Sequence, residues 1–177
     1  MEFNYDVMVI GSGPGGYVAG IRAAQLGLKT AVVEKAELGG VCLNWGCIPT
    51  KALLKSANVF EYIRHASDYG IQVSDAKPDF AAMVKRSREV AGSMSKGIQF
   101  LFKKNKIEHI AGTGKLKKSG NAVKVEVTGN DGKKTEYEAK HIILATGGRA
   151  RELPALKIDG KKIIGYREAM TLPQQPK

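Results

Sequence analysis

The sequence predicts an α/β fold, a parallel sheet with flanking helices and an antiparallel β excursion, on three observations. Tyr5–Ile10, Lys29–Glu34 and Ile107–Ala111 are short, largely apolar runs of strand length, the pattern of strands buried on both faces. A glycine-rich turn, Gly11-Ser12-Gly13-Pro14-Gly15-Gly16, joins the first run to a helical segment, and the second run follows it. Strand, turn, helix and strand make a βαβ unit, whose crossover is right-handed. Finally, Val123, Val125 and Val127 alternate with Lys124, Glu126 and Thr128, and Asn130-Asp131-Gly132 is a turn signal before Lys134–Ala139 returns. That hairpin is the antiparallel excursion.

The remaining elements follow in order. The helix after the glycine turn is expected from about Tyr17 to Leu26, where Gly27 supplies the left-handed residue that ends helices. A second helix is expected from Thr50 to about Ala66, with Leu53, Leu54, Ala57 and Ile63 available for one apolar face. After Pro78, Asp79 is placed to cap a long helix in which Phe80, Met83, Val84, Val90, Met94, Ile98, Leu101 and Phe102 recur at three- and four-residue steps. Gly92 and Gly97 each weaken that helix by ~1 kcal/mol relative to Ala, so tertiary packing must hold it. His141–Thr146 reads as a further buried strand running into Gly147-Gly148. Residues 151–177, ending Leu172-Pro173-Gln174-Gln175-Pro176-Lys177, read as a linker.

Composition excludes several classes. With 177 residues, 43% hydrophobic and 25% charged, the chain can bury an ordinary globular core. No apolar run reaches the ~20 residues a membrane helix needs. The start, Met1-Glu2-Phe3-Asn4-Tyr5-Asp6, lacks the basic and apolar regions of a secretory signal, so a cytoplasmic location is expected. The net charge of +11 raises nucleic-acid binding. Residues 79–118 hold ten Lys/Arg against three Asp/Glu, yet these alternate with apolar helix positions and lack interleaved aromatic platforms. A solvated face explains them better.

Two motifs carry chemistry. Gly11, Gly13 and Gly16 form a dinucleotide fingerprint in its proper place between strand and helix. Gly11 permits the tight turn, Gly13 a close approach to pyrophosphate, and Gly16 close helix–strand packing. The helix N-terminus offers N–H groups and its positive dipole end to phosphates. Glu34 ends the second strand, where a carboxylate hydrogen-bonds ribose hydroxyls; an acid there disfavours a 2′-phosphate. The second motif is Gly39-Gly40-Val41-Cys42-Leu43-Asn44-Trp45-Gly46-Cys47-Ile48-Pro49-Thr50-Lys51, which contains the only two cysteines. In an ideal helix residues five apart have Cα atoms on the order of 8–9 Å apart, and a disulfide needs roughly 4.4–6.8 Å. A bridge would require a distorted turn, for which Gly46 supplies freedom. A zinc half-site lacks a second Cys pair or paired histidines: His65, His109 and His141 are scattered, and no metal site is expected. A redox pair fits better, because low-pKa thiolates arise near helix N-termini and cations, and Lys51 follows Cys47 by one helical turn.

The stretches GSGPGG, Glu34, GGVCLNWGCIPTKALL, Gly112-Thr113-Gly114 and ILATGG together resemble the flavoprotein disulfide reductases, and within them the lipoamide branch. The resemblance runs from Tyr5 to the end. Glutathione and mercuric reductases share the cysteine spacing with different surroundings. The resemblance implies FAD, with Gly11, Gly13, Pro14 and Gly16 on the pyrophosphate, Glu34 and Lys35 at the adenosine ribose, and Gly114 at the adenine. Gly40, Val41, Cys42, Lys51, Ala145, Thr146, Gly147 and Gly148 would also contact the cofactor. It implies Cys42 as the interchange thiol toward a lipoyl group and Cys47 as the thiol beside the flavin. Oxidation of dihydrolipoamide by NAD follows for a whole enzyme, a homodimer serving the lipoyl-bearing component of a 2-oxoacid dehydrogenase or glycine cleavage complex, with no nucleic-acid or membrane partner. Domain limits follow too: residues 1–150 as the FAD-binding domain, with the excursion at about 115–140, and 151–177 leading toward an NAD domain. No second GxGxxG is present, and none of the three histidines matches the His–Glu base of the family. The chain alone is therefore expected to lack NAD-linked turnover and to serve at least as an FAD-binding fragment.

Overall fold

In a computed structural model, residues 3–119 and 122–176 are described. Expectations touching Met1, Glu2, Lys177 and the two residues at 120–121 lie outside them. The chain divides into two compact units, Met1–Cys42 with Met94–Gly148, and Leu43–Ser93 with Arg149–Lys177.

The first unit is built on six strands, β1 (Tyr5–Ile10), β2 (Thr30–Glu34), β3 (Glu108–Ala111), β4 (Thr113–Ser119), β5 (Ala122–Thr128) and β6 (Lys134–Leu144). Their order is β3-β2-β1-β6-β5-β4. β3, β2, β1 and the second half of β6 run parallel, whereas β4, β5 and the first half of β6 form an antiparallel meander. Helix α1 (Pro14–Gln25) covers the Val9–Val32 face, with Gly20 so near that a Cβ there would lie 2.8 Å from Val32 Cγ2. On the other face Met8, Ile10, Ala31 and Val33 share one core with Val125 and Val127 of the meander. β1 and β2 are thus buried on both sides, which is why they read as unbroken apolar runs.

Several boundaries differ from the sequence reading. α1 begins at Pro14, three residues early, because proline's fixed φ suits the first turn and its missing N–H is not needed there. Its C-terminus is as expected: Gly27 sits at φ 83°, and Leu28 N–H donates back to Ala23 O at 3.1 Å. Residues 134–139 and 141–146, read as separate strands, fall on the single strand β6, which ends at Leu144. It changes neighbour midway, from β5 up to Glu138 to β1 from Ala139, so its two halves carry different polarity patterns. Beyond the buried Ala139, residues 141–144 are not buried, contrary to expectation; Leu144 is 60% exposed, past the end of the pairing with β5. β4 escaped notice because it is an edge strand studded with Lys115, Lys117 and Lys118, which blunt it against association. Part of the basic run is also neutralised there: Lys117 pairs with Glu126 and Glu136.

Two helices span the division of the chain, α2 (Gly40–Trp45) and α4 (Phe80–Lys104). In the second unit lie α3 (Cys47–Arg64), a 3-10 turn at Ala66–Tyr69 and α5 (Tyr166–Ala169). α3 starts three residues before its expected Thr50, because Gly46, at φ −145° and ψ −115°, breaks the chain before Cys47 and Pro49 is tolerated in a first turn. Asp79 caps α4 as expected, its Oδ1 accepting from Ala82 N–H at 2.9 Å. The segment read as linker contains α5, and Gly165 N–H at its start donates to Glu168 Oε2 at 2.9 Å.

Candidate functional site

The carboxyl ends of β1, β2, β3 and β6 converge in the first unit. Gly11 N–H donates to Val33 O and Ala145 N–H to Ile10 O, each at 2.8 Å, and Gly112 N–H donates to Glu34 O at 2.9 Å. Open α/β sheets take ligands at this edge. Gly11 stands at φ 101°, and a Cβ on it would lie 2.2 Å from Ala145 O; one on Gly16 would lie 1.8 Å from Gly11 O. Neither position admits any other residue. Gly13 is different. Its φ of −65° suits any amino acid, and a Cβ would meet only Gly40 Cα, at 3.9 Å. Among the described residues nothing crowds a side chain at 13. Gly13 is also the N-cap of α1 without a capping side chain; Pro14 has no N–H and the Gly16 N–H donates to Gly13 O at 2.8 Å, so the Gly15 N–H is the first-turn donor left for an external acceptor such as a phosphate.

Glu34 lies beside this turn, half-buried. Its Oε2 accepts from Ser12 N–H at 2.9 Å and Ser12 Oγ at 2.7 Å; its Oε1 accepts from Lys35 N–H at 2.8 Å and Ala36 N–H at 3.0 Å. Burial pushes its pKa up, but these four hydrogen bonds outweigh burial and hold the carboxyl below its ordinary range. His109 on β3 feels the Glu34 charge, yet partial burial holds its imidazole below the ordinary histidine range.

The other expected residues fall as follows. Gly114 rests on the ends of β1 and β2, where a Cβ would lie 3.1 Å from Ile10 Cγ2 and 3.3 Å from Val33 Cγ1. Pro14 and Lys35 are exposed. Ala145 is half-buried, and Thr146, Gly147 and Gly148 leave the end of β6 exposed, with Gly147 at φ 68°. Gly40 approaches Gly13 closely: a Cβ on Gly40 would lie 2.6 Å from Gly13 Cα. Val41 is exposed and Cys42 is a half-buried thiol, both on α2. In the second unit Cys47 is the first residue of α3, an exposed thiol, and Lys51 is exposed one turn later. No group of metal-ligating side chains is present among the described residues.

The family model for pyridine nucleotide-disulphide oxidoreductases matches residues 5–176. The chain belongs to this family. It is 50% identical to the dihydrolipoyl dehydrogenase of Rhizobium etli, covering 100% of this chain and 39% of that one. It is 54% identical to the dihydrolipoyl dehydrogenase of Chlorobaculum tepidum, covering 98% of this chain and 36% of that one. Among solved structures it superposes on LpdA from Mycobacterium tuberculosis with a TM-score of 0.86 and 28% identity, over 94% of this chain and 37% of that one. The chain therefore spans well under half the length of the curated relatives it matches, and the resemblance drawn from its motifs is borne out at the level of family and fold.

For a pyridine nucleotide-disulphide oxidoreductase, two features went unread in the sequence. Ser12 occupies a variable position of the glycine fingerprint, yet it is fully buried and bonds Glu34. In the second unit the indole of Trp45, the chain's only tryptophan, lies under two guanidinium groups, Arg88 at 4.7 Å and Arg167 at 5.0 Å from its centroid. Arg88 Nη1 also donates to Asn44 O at 2.7 Å, so α4 and α5 both hold the segment that precedes Cys47. A lone tryptophan between the cysteines was the available signal, but its partners are remote in sequence.

No described helix is long and apolar enough to cross a membrane.

Proposed function

We propose that the chain is the FAD-binding and redox-thiol portion of a dihydrolipoyl dehydrogenase. The observation that carries this is Gly13, a glycine with no steric reason inside the protein, at an uncapped helix N-terminus beside the anchored carboxylate of Glu34. Relatives of about half-identical sequence bearing the dihydrolipoyl dehydrogenase name support the substrate class.

In this reading the turn of Gly11, Gly13, Pro14 and Gly16 receives the pyrophosphate at the positive end of α1, with the Gly15 N–H as a donor, and Glu34 with Lys35 receives the adenosine ribose. Gly114 offers its backbone to the adenine. Gly40, Val41, Cys42, Lys51, Ala145, Thr146, Gly147 and Gly148 complete the cofactor contacts. When bound, FAD supplies a two-electron acceptor for the dithiol. Cys42, as thiolate, exchanges with the lipoyl sulfur, so that two substrate thiols become a disulfide while the Cys42–Cys47 disulfide becomes two thiols. Cys47 is the thiol on the flavin side. Uptake of hydride by NAD, homodimerisation and service to lipoyl-bearing components of 2-oxoacid dehydrogenase or glycine cleavage complexes belong to the whole enzyme. A reducing, cytoplasmic setting suits an exposed thiol such as Cys47.

Adding FAD to the purified chain tests the reading. Flavin fluorescence is expected to be quenched on binding, and dithiol reduction to give a long-wavelength thiolate-to-flavin band. A chain that leaves FAD free in solution would sink the proposal.

A further inference from the structure

Ser12 is the polar residue of the glycine turn, and each of its hydrogen-bonding groups is committed. Its N–H and its hydroxyl both donate to Glu34 Oε2, and its carbonyl accepts from Gly39 N–H at 3.0 Å. The side chain is fully inaccessible to solvent, whereas Glu34 retains exposure. Ser12 therefore grips Oε2 from the protein side while the Lys35 and Ala36 amides hold Oε1, and the carboxylate so fixed stays partly accessible. We propose that Ser12 is a positioning residue, whose hydroxyl presets the orientation and charge of Glu34 for the vicinal hydroxyls of a ribose. The proposal rests on the FAD reading of the site.

A carboxylate at a strand end loses side-chain freedom when it binds a diol, and that cost falls on the binding step unless the group is held in advance. Holding it in advance is what the buried hydroxyl does. A diol also donates best to an ionised carboxylate, since charge-assisted bonds are roughly twice as strong as neutral ones. The groups facing Glu34 are Ser12 from the glycine turn, the Lys35 and Ala36 amides from the chain after β2, and His109 from β3. With His109 held below its usual range, the Ser12 hydroxyl is the side-chain donor that, beside the Ser12, Lys35 and Ala36 amides, favours the ionised carboxylate. The sign follows. A carboxyl held below its ordinary pKa keeps its charge until the pH falls through that lowered value, and removing a donor moves the loss to higher pH.

Ser12→Ala and Ser12→Gly both delete the hydroxyl and keep the amide. Carbon NMR of the Glu34 carboxyl in the cofactor-free chain is expected to show titration at higher pH in both variants. FAD affinity at pH 7 is expected to fall about tenfold, the scale of a hydrogen bond to a charged group. That deficit should grow toward about pH 5, where an ordinary carboxylate begins to protonate. In a Glu34→Ala background, Ser12→Ala should change FAD affinity less than about twofold, because the hydroxyl acts through the carboxylate. An unchanged Glu34 titration would overturn the proposal, as would a tenfold loss that persists without Glu34. A wild-type chain that takes up no FAD strikes the cofactor reading instead, while the Glu34 titration still decides the role of Ser12.

Discussion

At the scale of residues, the three fingerprint glycines separate into two kinds. Gly11 and Gly16 are demanded by backbone carbonyls at 2.2 Å and 1.8 Å from a would-be Cβ; Gly13 has ordinary φ and open space. Gly16→Ala is therefore expected to cost about 3 kcal/mol or more of stability, since the obstructing atom is backbone and cannot swing away. Gly13→Ala is expected to leave the thermal midpoint unchanged while weakening FAD binding at least tenfold. Thermal melts beside flavin titrations check both, and a Gly13→Ala variant that binds as wild type would remove the ligand-side reason for that glycine. The motif was legible in the sequence, but this division of labour was not. Spacing names the glycines without naming the atoms that crowd them.

At the scale of elements, α4 exposes a mismatch between local preference and packing. Gly92 and Gly97 lie in a 25-residue helix whose buried positions include Ser87, Ala91, Ile98 and Phe102. A Cβ at either glycine meets nothing within 4 Å. Gly97→Ala should therefore stabilise the chain by about 1 kcal/mol, a gain visible as a higher thermal midpoint. A lower midpoint would mean that something outside the described residues packs there. The apolar period and the Asp79 cap made this helix readable in advance. The strands divided along the same line. β1 and β2 announced themselves by apolar runs; β3 was read as buried but is an edge strand on which Ile110 alone is buried, β4 hid under lysines, and β6 was split in two, because its pattern changes where its partner changes. Strand pairing across distant segments is invisible to local periodicity.

At the scale of the whole molecule, the chain covers 39% of one dihydrolipoyl dehydrogenase relative and 36% of another. It carries a single glycine fingerprint. The proposed division of labour then predicts that this chain alone does not oxidise dihydrolipoamide with NAD, even when loaded with FAD. Following NADH absorbance checks this, and turnover matching a full-length relative would show that the relatives' further length is not needed. Reduction of an oxidised Cys42–Cys47 disulfide by added dithiol, which becomes the disulfide in its place, should persist under the proposed reading, because it needs no nicotinamide.

By itself the sequence determined the parallel core, the glycine turn, the acidic residue that ends β2 and the cysteine pair. Each is written in local pattern or in residue types that tolerate few substitutes. Tertiary structure alone decided that β6 joins the parallel strands to the antiparallel meander, that the basic run at Lys117 is answered by Glu126 and Glu136, and that Ser12 holds Glu34. These depend on which distant segments come within hydrogen-bond reach, and the chain must fold before that reach exists.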